Sequence, residues 1–182
     1  MKEGHPCGLV AAPRPEPEGL PIRAFTGCVP GEWIDENGHV SSMAYPALFH
    51  SATAVLFNLI GISKQYVVDR RLTIFQREYR IVFERELLED NYLEIRSYLA
   101  GYNDRRMRHF HELWNVSAGY RAATVEYLSV HVDLATRRSA PFPADIASNL
   151  AMLSQRFSQV LRPNGIGARI ELGRGDAFDP GG

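Results

Sequence analysis

From Met43 to Ile60 the chain carries no Asp, Glu, Lys or Arg, and this single stretch limits the possible folds more than any other. Leu48, Val55, Leu56, Leu59 and Ile60 recur at helical spacing, while Ala44, Ala47, Phe49, Ala52, Ala54 and Phe57 make the remaining faces apolar as well. The length suits a membrane span, but Pro46, His50, Ser51, Thr53 and Asn58 interrupt it, and Gly61 stops it in the manner of a soluble helix. Ser41 or Ser42 is placed to cap its start, and Pro46 is tolerable only in a first turn. A helix that is apolar all round must be enclosed by the rest of the chain.

The segment Leu72 to Asp133 is suited to enclose it, because it shows period-two patterning in four long runs separated by turn signals. The first run sets Thr73, Phe75, Tyr79, Ile81 and Phe83 against Gln76, Glu78, Arg80 and Glu84. In the second, Leu93, Ile95, Ser97 and Leu99 oppose Glu94, Arg96 and Tyr98. The third puts Met107, His109, His111 and Leu113 on one face, and the fourth covers Arg121 to Asp133. A short β-compatible run, Ile22 to Val29, precedes the helix. Asp145 opens a terminal amphipathic helix with Ile146, Leu150, Leu153, Phe157 and Val160 on one stripe. The expected class is α+β: a long central helix wrapped by a curved antiparallel sheet, plus a C-terminal helix, which is the hotdog architecture; the rival with the same elements is another α+β layer fold.

With 182 residues, 45% of them hydrophobic, the chain is long enough for one domain whose core needs no disulfide or structural metal. A formal net charge of -1 excludes a composition-driven attraction to nucleic acid or an anionic membrane. Prolines crowd the stretch up to Pro21 and glycines the stretch from Gly165. The expected division is therefore a disordered leader over 1–21, a domain over 22–161 and a flexible Gly-rich tail over 162–182. Two cysteines, Cys7 and Cys28, form no disulfide framework, and the start lacks a secretory apolar core, so a reduced, cytoplasmic protein is expected.

Chemistry concentrates in Trp33-Ile34-Asp35-Glu36-Asn37-Gly38-His39-Val40-Ser41-Ser42. One reading is a solvated turn whose side chains bond nearby backbone. The other is a carboxylate and an imidazole set just ahead of a helix N-terminus, whose N–H groups and dipole can hold an oxyanion. Acyl transfer uses both a base and an oxyanion-holding element. Asp35 and Glu36 are the carboxylates this segment offers as a base, Asp35 first.

At this segment the sequence resembles the hotdog acyl-CoA thioesterases of the 4-hydroxybenzoyl-CoA thioesterase type, through Asp35, Gly38, His39 and Tyr45. Thr73-Ile74-Phe75, Ala122-Ala123-Thr124 and the Arg137 to Pro143 exit extend the likeness. The resemblance implies Asp35 as nucleophile or general base, with the backbone around Ser41, Ser42 and Met43 holding the oxyanion and His39 orienting Asp35 or the substrate. Ser42 is included among the catalytic positions. It also implies an acyl-CoA substrate, no cofactor, and a homodimer or dimer of dimers. Many relatives carry Asn after the His-Val pair, where this chain has Ser41-Ser42. Two alternatives are an enoyl-CoA hydratase-like enzyme of the same fold, disfavoured by the Asp35-to-His39 spacing, and a module that binds acyl thioesters without turning them over.

Within that family the sequence resembles the thioesterase subgroup linked to carnitine breakdown, which acts on betainyl-CoA. The likeness rests on Trp33 to His39, Arg105 to His111 and Arg137 to Pro143. A trimethylammonium acyl group wants aromatic faces, and Trp33, Tyr45, Phe49 and Trp114 are available. Asn37 and Gly38 complete the expected substrate-binding turn. Arg137 and Arg138 are the chosen cations for the phosphates of coenzyme A. His109, His111, His131 and Asp133 would make a metal site only if all four converged, and histidines lining a core or pocket are the favoured reading.

Overall fold

The computed structural model describes residues 20–168. The leader up to residue 19, with Cys7, and the tail from residue 169 lie outside the described residues. The elements in chain order are β1 (Ile22–Cys28), a 3-10 turn (Gly31–Trp33), α1 (Ala44–Leu59), α2 (Lys64–Arg70), β2 (Leu72–Phe83), β3 (Tyr92–Tyr102), β4 (Arg106–Asn115), β5 (Tyr120–Asp133), β6 (Arg138–Ser139) and α3 (Ala144–Phe157). All strand pairings are antiparallel, in the order β1-β3-β4-β5-β2, with the two-residue β6 on β5.

The apolar helix is α1, and the sheet's inner face covers it. Phe49, Ala52 and Leu56 of α1 are fully buried together with Leu93 and Ile95 of β3, Leu113 of β4 and Val125 of β5. Each large side chain removed from water in this way contributes about 1.5–3 kcal/mol. Gly61, at φ +94, ends the helix as expected, its N–H donating to the Asn58 carbonyl at 3.0 Å. Neither serine caps α1. The N-cap is Met43, without a side-chain cap, and Ser41 Oγ instead accepts the Met43 N–H at 3.4 Å.

Two features differ from the sequence pattern. Strand β2 carries an irregularity between Gln76 and Glu78. Its extra residue reverses the facing, so that Tyr79, Ile81 and Phe83 pair opposite the inward Tyr127, Val125 and Ala123, whereas Phe75 pairs with Val130 on the other side. The short α2 fills the link between α1 and β2. Ser63 Oγ accepts the Tyr66 N–H at 3.2 Å at its start, and Arg71 at φ 54 ends it.

Helix α3 buries Ile146, Leu150 and Leu153, and Asn149 donates to the Ile60 carbonyl at 3.1 Å, tying α3 to the end of α1. Beyond α3 the chain lies across the outer sheet face. Arg121 donates to the Asn164 carbonyl at 3.2 Å, and the Gly167 N–H donates to Glu126 at 2.6 Å. Contacts thus continue past the expected domain end at 161. Among the described residues no single helix is long and apolar enough to cross a membrane.

The inward histidines join α1 to the sheet through a buried polar chain. The Thr53 hydroxyl donates to the Phe49 carbonyl at 2.9 Å, so its oxygen is left to accept from His111 Nε2 at 3.1 Å. His111 Nδ1 then accepts from the Ser97 hydroxyl at 2.6 Å. His109 Nδ1 lies 2.9 Å from the same His111 Nε2–H and accepts from it, leaving His109 Nε2–H to donate to Ser129 Oγ at 3.0 Å. This one set of tautomers satisfies every ring nitrogen. His109, His111, Thr53, Ser97 and Ser129 are all buried. Burial pulls the His111 pKa down to about 3, and burial together with neighbouring His111 holds His109 well below the usual imidazole value. His131 stands apart, its Nε2 2.8 Å from the Tyr66 hydroxyl and its Nδ1–H donating to the Ala140 carbonyl. Asp133 accepts two N–H groups in the following turn. The four residues considered as metal ligands therefore do not converge.

Candidate active site at the start of the central helix

The Asp35–His39 segment is a closed turn. The Asp35 N–H donates to the His39 carbonyl and the Gly38 N–H to the Asp35 carbonyl, both at 3.0 Å, while Ile34 and Val40 form an isolated β-bridge. Gly38 sits at φ +80, a left-handed conformation that favours glycine, and there is open space where a Cβ would stand. Two further bonds fix the turn in place. Ser41 N–H donates to the Trp33 carbonyl and Val40 N–H to the Leu87 carbonyl, each at 2.8 Å.

Within the turn, Asp35 Oδ1 accepts the Asn37 N–H at 2.9 Å and lies 4.0 Å from His39 Nδ1. His39 Nδ1 is also 3.3 Å from the Val40 carbonyl. A carbonyl only accepts, so Nδ1 carries the ring proton and Nε2 keeps its lone pair in the neutral form. Both side chains remain partly accessible, at 20% for Asp35 and 37% for His39. The turn thus combines the local backbone bonding of the first reading with the carboxylate–imidazole pair of the second.

A cavity of about 300 Å³ opens at this place, lined by His39, Val40, Ser42, Tyr45 and the Phe83 to Glu86 end of β2. Asp35 does not line it, and its carboxylate lies 4.0 Å from His39, which does. Tyr45, in the first turn of α1, is buried, and its ring meets Phe83 edge-on with centroids 4.9 Å apart and planes at 87°. Burial and the nearby Tyr120 push its phenol up to about 12, so it is a neutral ring.

The other expected site residues are more scattered. Trp33 packs against the core, and Asn37 and Gly38 are exposed in the turn beside Asp35, as is Glu36. Phe49 is fully buried against His111, one helical turn below Tyr45, and is a core residue rather than a cavity wall. Trp114 faces the outer side of the sheet, where the Arg96 guanidinium sits 4.7 Å from its ring centre. That aromatic face is already occupied by the protein's own cation. Arg121 is also committed, with both oxygens of Glu84 and one of Glu112 within 2.9 Å.

Arg137 lies in the β5–β6 turn and Arg138 begins β6, where it pairs with Asp133, and both are exposed. Leu72 at the start of β2 pairs with Asp133, whereas Phe83 at its end pairs with Ala123. Twelve strand residues separate the two ends, roughly 36 Å at 3.3 Å per residue. Within one chain the structure does not bring these arginines to the cavity. Phe83 was the residue that sequence reasoning missed. Its position is set by the bulge in β2 and by strand pairing, neither of which period-two patterning reveals.

A second hollow, of about 320 Å³, lies between β3 and the end of α3, lined by Tyr98, Phe157 and Leu161 among others. None of the Trp33 to Tyr45 residues reaches it. The Asp35–His39 turn and its cavity remain the place where a base, an imidazole and a helix start meet.

Comparison with known proteins gives the family. Residues 29–150 match the thioesterase-like superfamily. The betainyl-CoA thioesterase of Pseudomonas aeruginosa is 30% identical over 141 residues, covering 78% of this chain and 89% of that protein. The L-carnitine dehydrogenase/betainyl-CoA thioesterase of Rhizobium meliloti is 25% identical over 151 residues, and the matched part covers 82% of this chain but only 30% of that longer protein. Among solved structures, a Staphylococcus aureus protein in complex with CoA superposes with a TM-score of 0.76 at 23% identity, covering 82% of this chain and 94% of that one. The chain belongs to the thioesterase-like superfamily and is a thioester hydrolase of the hotdog fold.

Proposed function

We propose that this protein hydrolyses a small acyl-CoA, with betainyl-CoA as the substrate, and that Asp35 supplies the attacking group or the base. The observation that carries this reading is the Asp35–His39 pair, 4.0 Å apart, held in a turn that opens onto a cavity at the first turn of α1. The thioester carbonyl lies where the cavity meets the Asp35 turn, within reach of that carboxylate, with its oxygen toward the Ser42 N–H at the start of α1. In one route the Asp35 carboxylate attacks the carbonyl carbon, CoA leaves as thiolate, and water cleaves the resulting mixed anhydride. In the other, Asp35 takes a proton from water as the water attacks. Either route ends in the free acid, CoA and a regenerated carboxylate. His39, which lines the cavity 4.0 Å from the Asp35 carboxylate, positions the substrate beside it.

The active unit in this reading is a homodimer joined along β2. That strand is at an edge of the sheet, and Phe75 and Tyr79 are 41% and 53% exposed along it. Antiparallel pairing of two β2 strands sets the start of one beside the end of the other. The partner's Arg137 and the partner's Arg138 then come to the cavity, where they bind CoA phosphates. A thiol-release assay across betainyl-, short-chain, long-chain and aryl-CoA tests the substrate. Betainyl-CoA should have the highest kcat/KM, and preference for long-chain or aryl thioesters would remove the betaine reading.

A further inference from the structure

The sequence offered four aromatic residues for a cationic acyl group, and the structure removes Phe49 into the core and places Trp114 under Arg96. We propose instead that Phe83 is the aromatic face that holds the acyl cation and that Glu86 is the carboxylate that balances its charge. This inference rests on the acyl-CoA hydrolase reading above and identifies the specificity-determining residues of the same site.

Three observations point there. First, Phe83 is 52% exposed on the inner side of the sheet at the cavity that His39, Ser42 and Tyr45 also line. Its neighbour Tyr45 meets it at 87° and is itself 3% exposed, so Phe83 presents the open ring. Second, this end of β2 already carries a cation on an aromatic face, since the Arg85 guanidinium lies 5.2 Å from the ring centre of Tyr120. Third, the charges are unevenly committed. Glu84 is fully engaged by Arg121, at 2.7 and 2.9 Å. Glu86 is exposed and makes no ion pair among the described residues, while its main-chain carbonyl is fixed by the Tyr120 hydroxyl at 2.7 Å.

A quaternary ammonium group has no N–H to donate, so a site can recognise it only through ring faces and nearby negative charge. A cavity of about 300 Å³ is at the small end of ligand sites, which suits a compact acyl group. The dimer proposed above lays the start of the partner's strand beside this cavity and narrows its mouth.

The test compares betainyl-CoA with tert-butylacetyl-CoA, the neutral ester in which carbon replaces nitrogen at the same shape. The wild-type protein should favour the cationic ester in kcat/KM by about tenfold or more, and Phe83→Leu should cut that ratio by about tenfold. Glu86→Gln, at an exposed position, should cut it by about threefold. A wild-type ratio near one overturns the cation pocket while leaving the hydrolase reading standing. A ratio unchanged in both variants overturns the assignment to Phe83 and Glu86. Turnover of neither ester, nor of any other acyl-CoA, removes the reading on which the inference rests.

Discussion

The buried imidazole pair makes a quantitative prediction about acid stability. His109 and His111 are neutral in the folded chain, because burial disfavours their charge and the side chains bonded to or stacked on the pair among the described residues, Tyr127, Phe49, Phe57, Thr53, Ser97 and Ser129, are uncharged. An unfolded histidine titrates near 6.5. Below that pH the unfolded chain takes up protons that the folded chain does not, so the stability present above pH 6.5 is lost as pH falls toward about 3, the folded value of His111. Each group's cost approaches about 1.4 kcal/mol per pH unit below 6.5, and the pair therefore costs about 3 kcal/mol between pH 6.5 and 5. That is a large part of the roughly 5–15 kcal/mol that holds a domain together. Urea unfolding followed by circular dichroism at about pH 7 and about pH 5 measures it, and replacing both residues by glutamine should flatten the difference. A loss below about 1 kcal/mol across that range would refute the neutral, acid-sensitive pair.

Three other outcomes follow from the same geometry. Thr53→Val removes the acceptor and donor that link α1 to His111, and should lower stability by about 1–3 kcal/mol in urea melts. Gly38→Ala meets no steric obstacle but must adopt φ +80, so it should cost about 1 kcal/mol of stability and displace His39 enough to lower kcat measurably. Mixing Asp35→Asn chains with Arg137→Glu/Arg138→Glu chains should restore turnover at low substrate. Each mixed dimer would hold one site with Asp35 intact and both arginines supplied by the other subunit. No recovery after verified subunit exchange would show that these arginines do not serve the partner's site.

Much of the scaffold was legible because its signals are local. The uncharged stretch from Met43 to Ile60 required enclosure, and the alternation in β3 and β4 correctly turned Ser97, His109 and His111 inward. What was not legible depends on long-range pairing. An unpaired residue in β2 leaves the composition of the strand unchanged yet reverses one half of it, and so the exposed Phe83 ring could not be connected to the Asp35 turn. Alternation puts Glu94 and Glu112 on the outer sheet face but does not show that both are buried there, under arginines and, for Glu112, the Tyr98 hydroxyl at 2.8 Å. The seven residues of α2 were too few to show a period, although Ser63 before them was a usable cap signal. At the site itself, Asp35, His39, Ser42 and Tyr45 do gather at one helix start, because a short turn holds them together regardless of distant packing.

The central claim is that Asp35 drives thioester cleavage at this turn. Its most direct test is the rate of CoA release from betainyl-CoA by the Asp35→Asn protein, measured beside wild type with circular dichroism to confirm that both are folded. The claim predicts a fall in kcat of at least about a hundredfold with the fold intact. Near-wild-type turnover by the folded variant would contradict it.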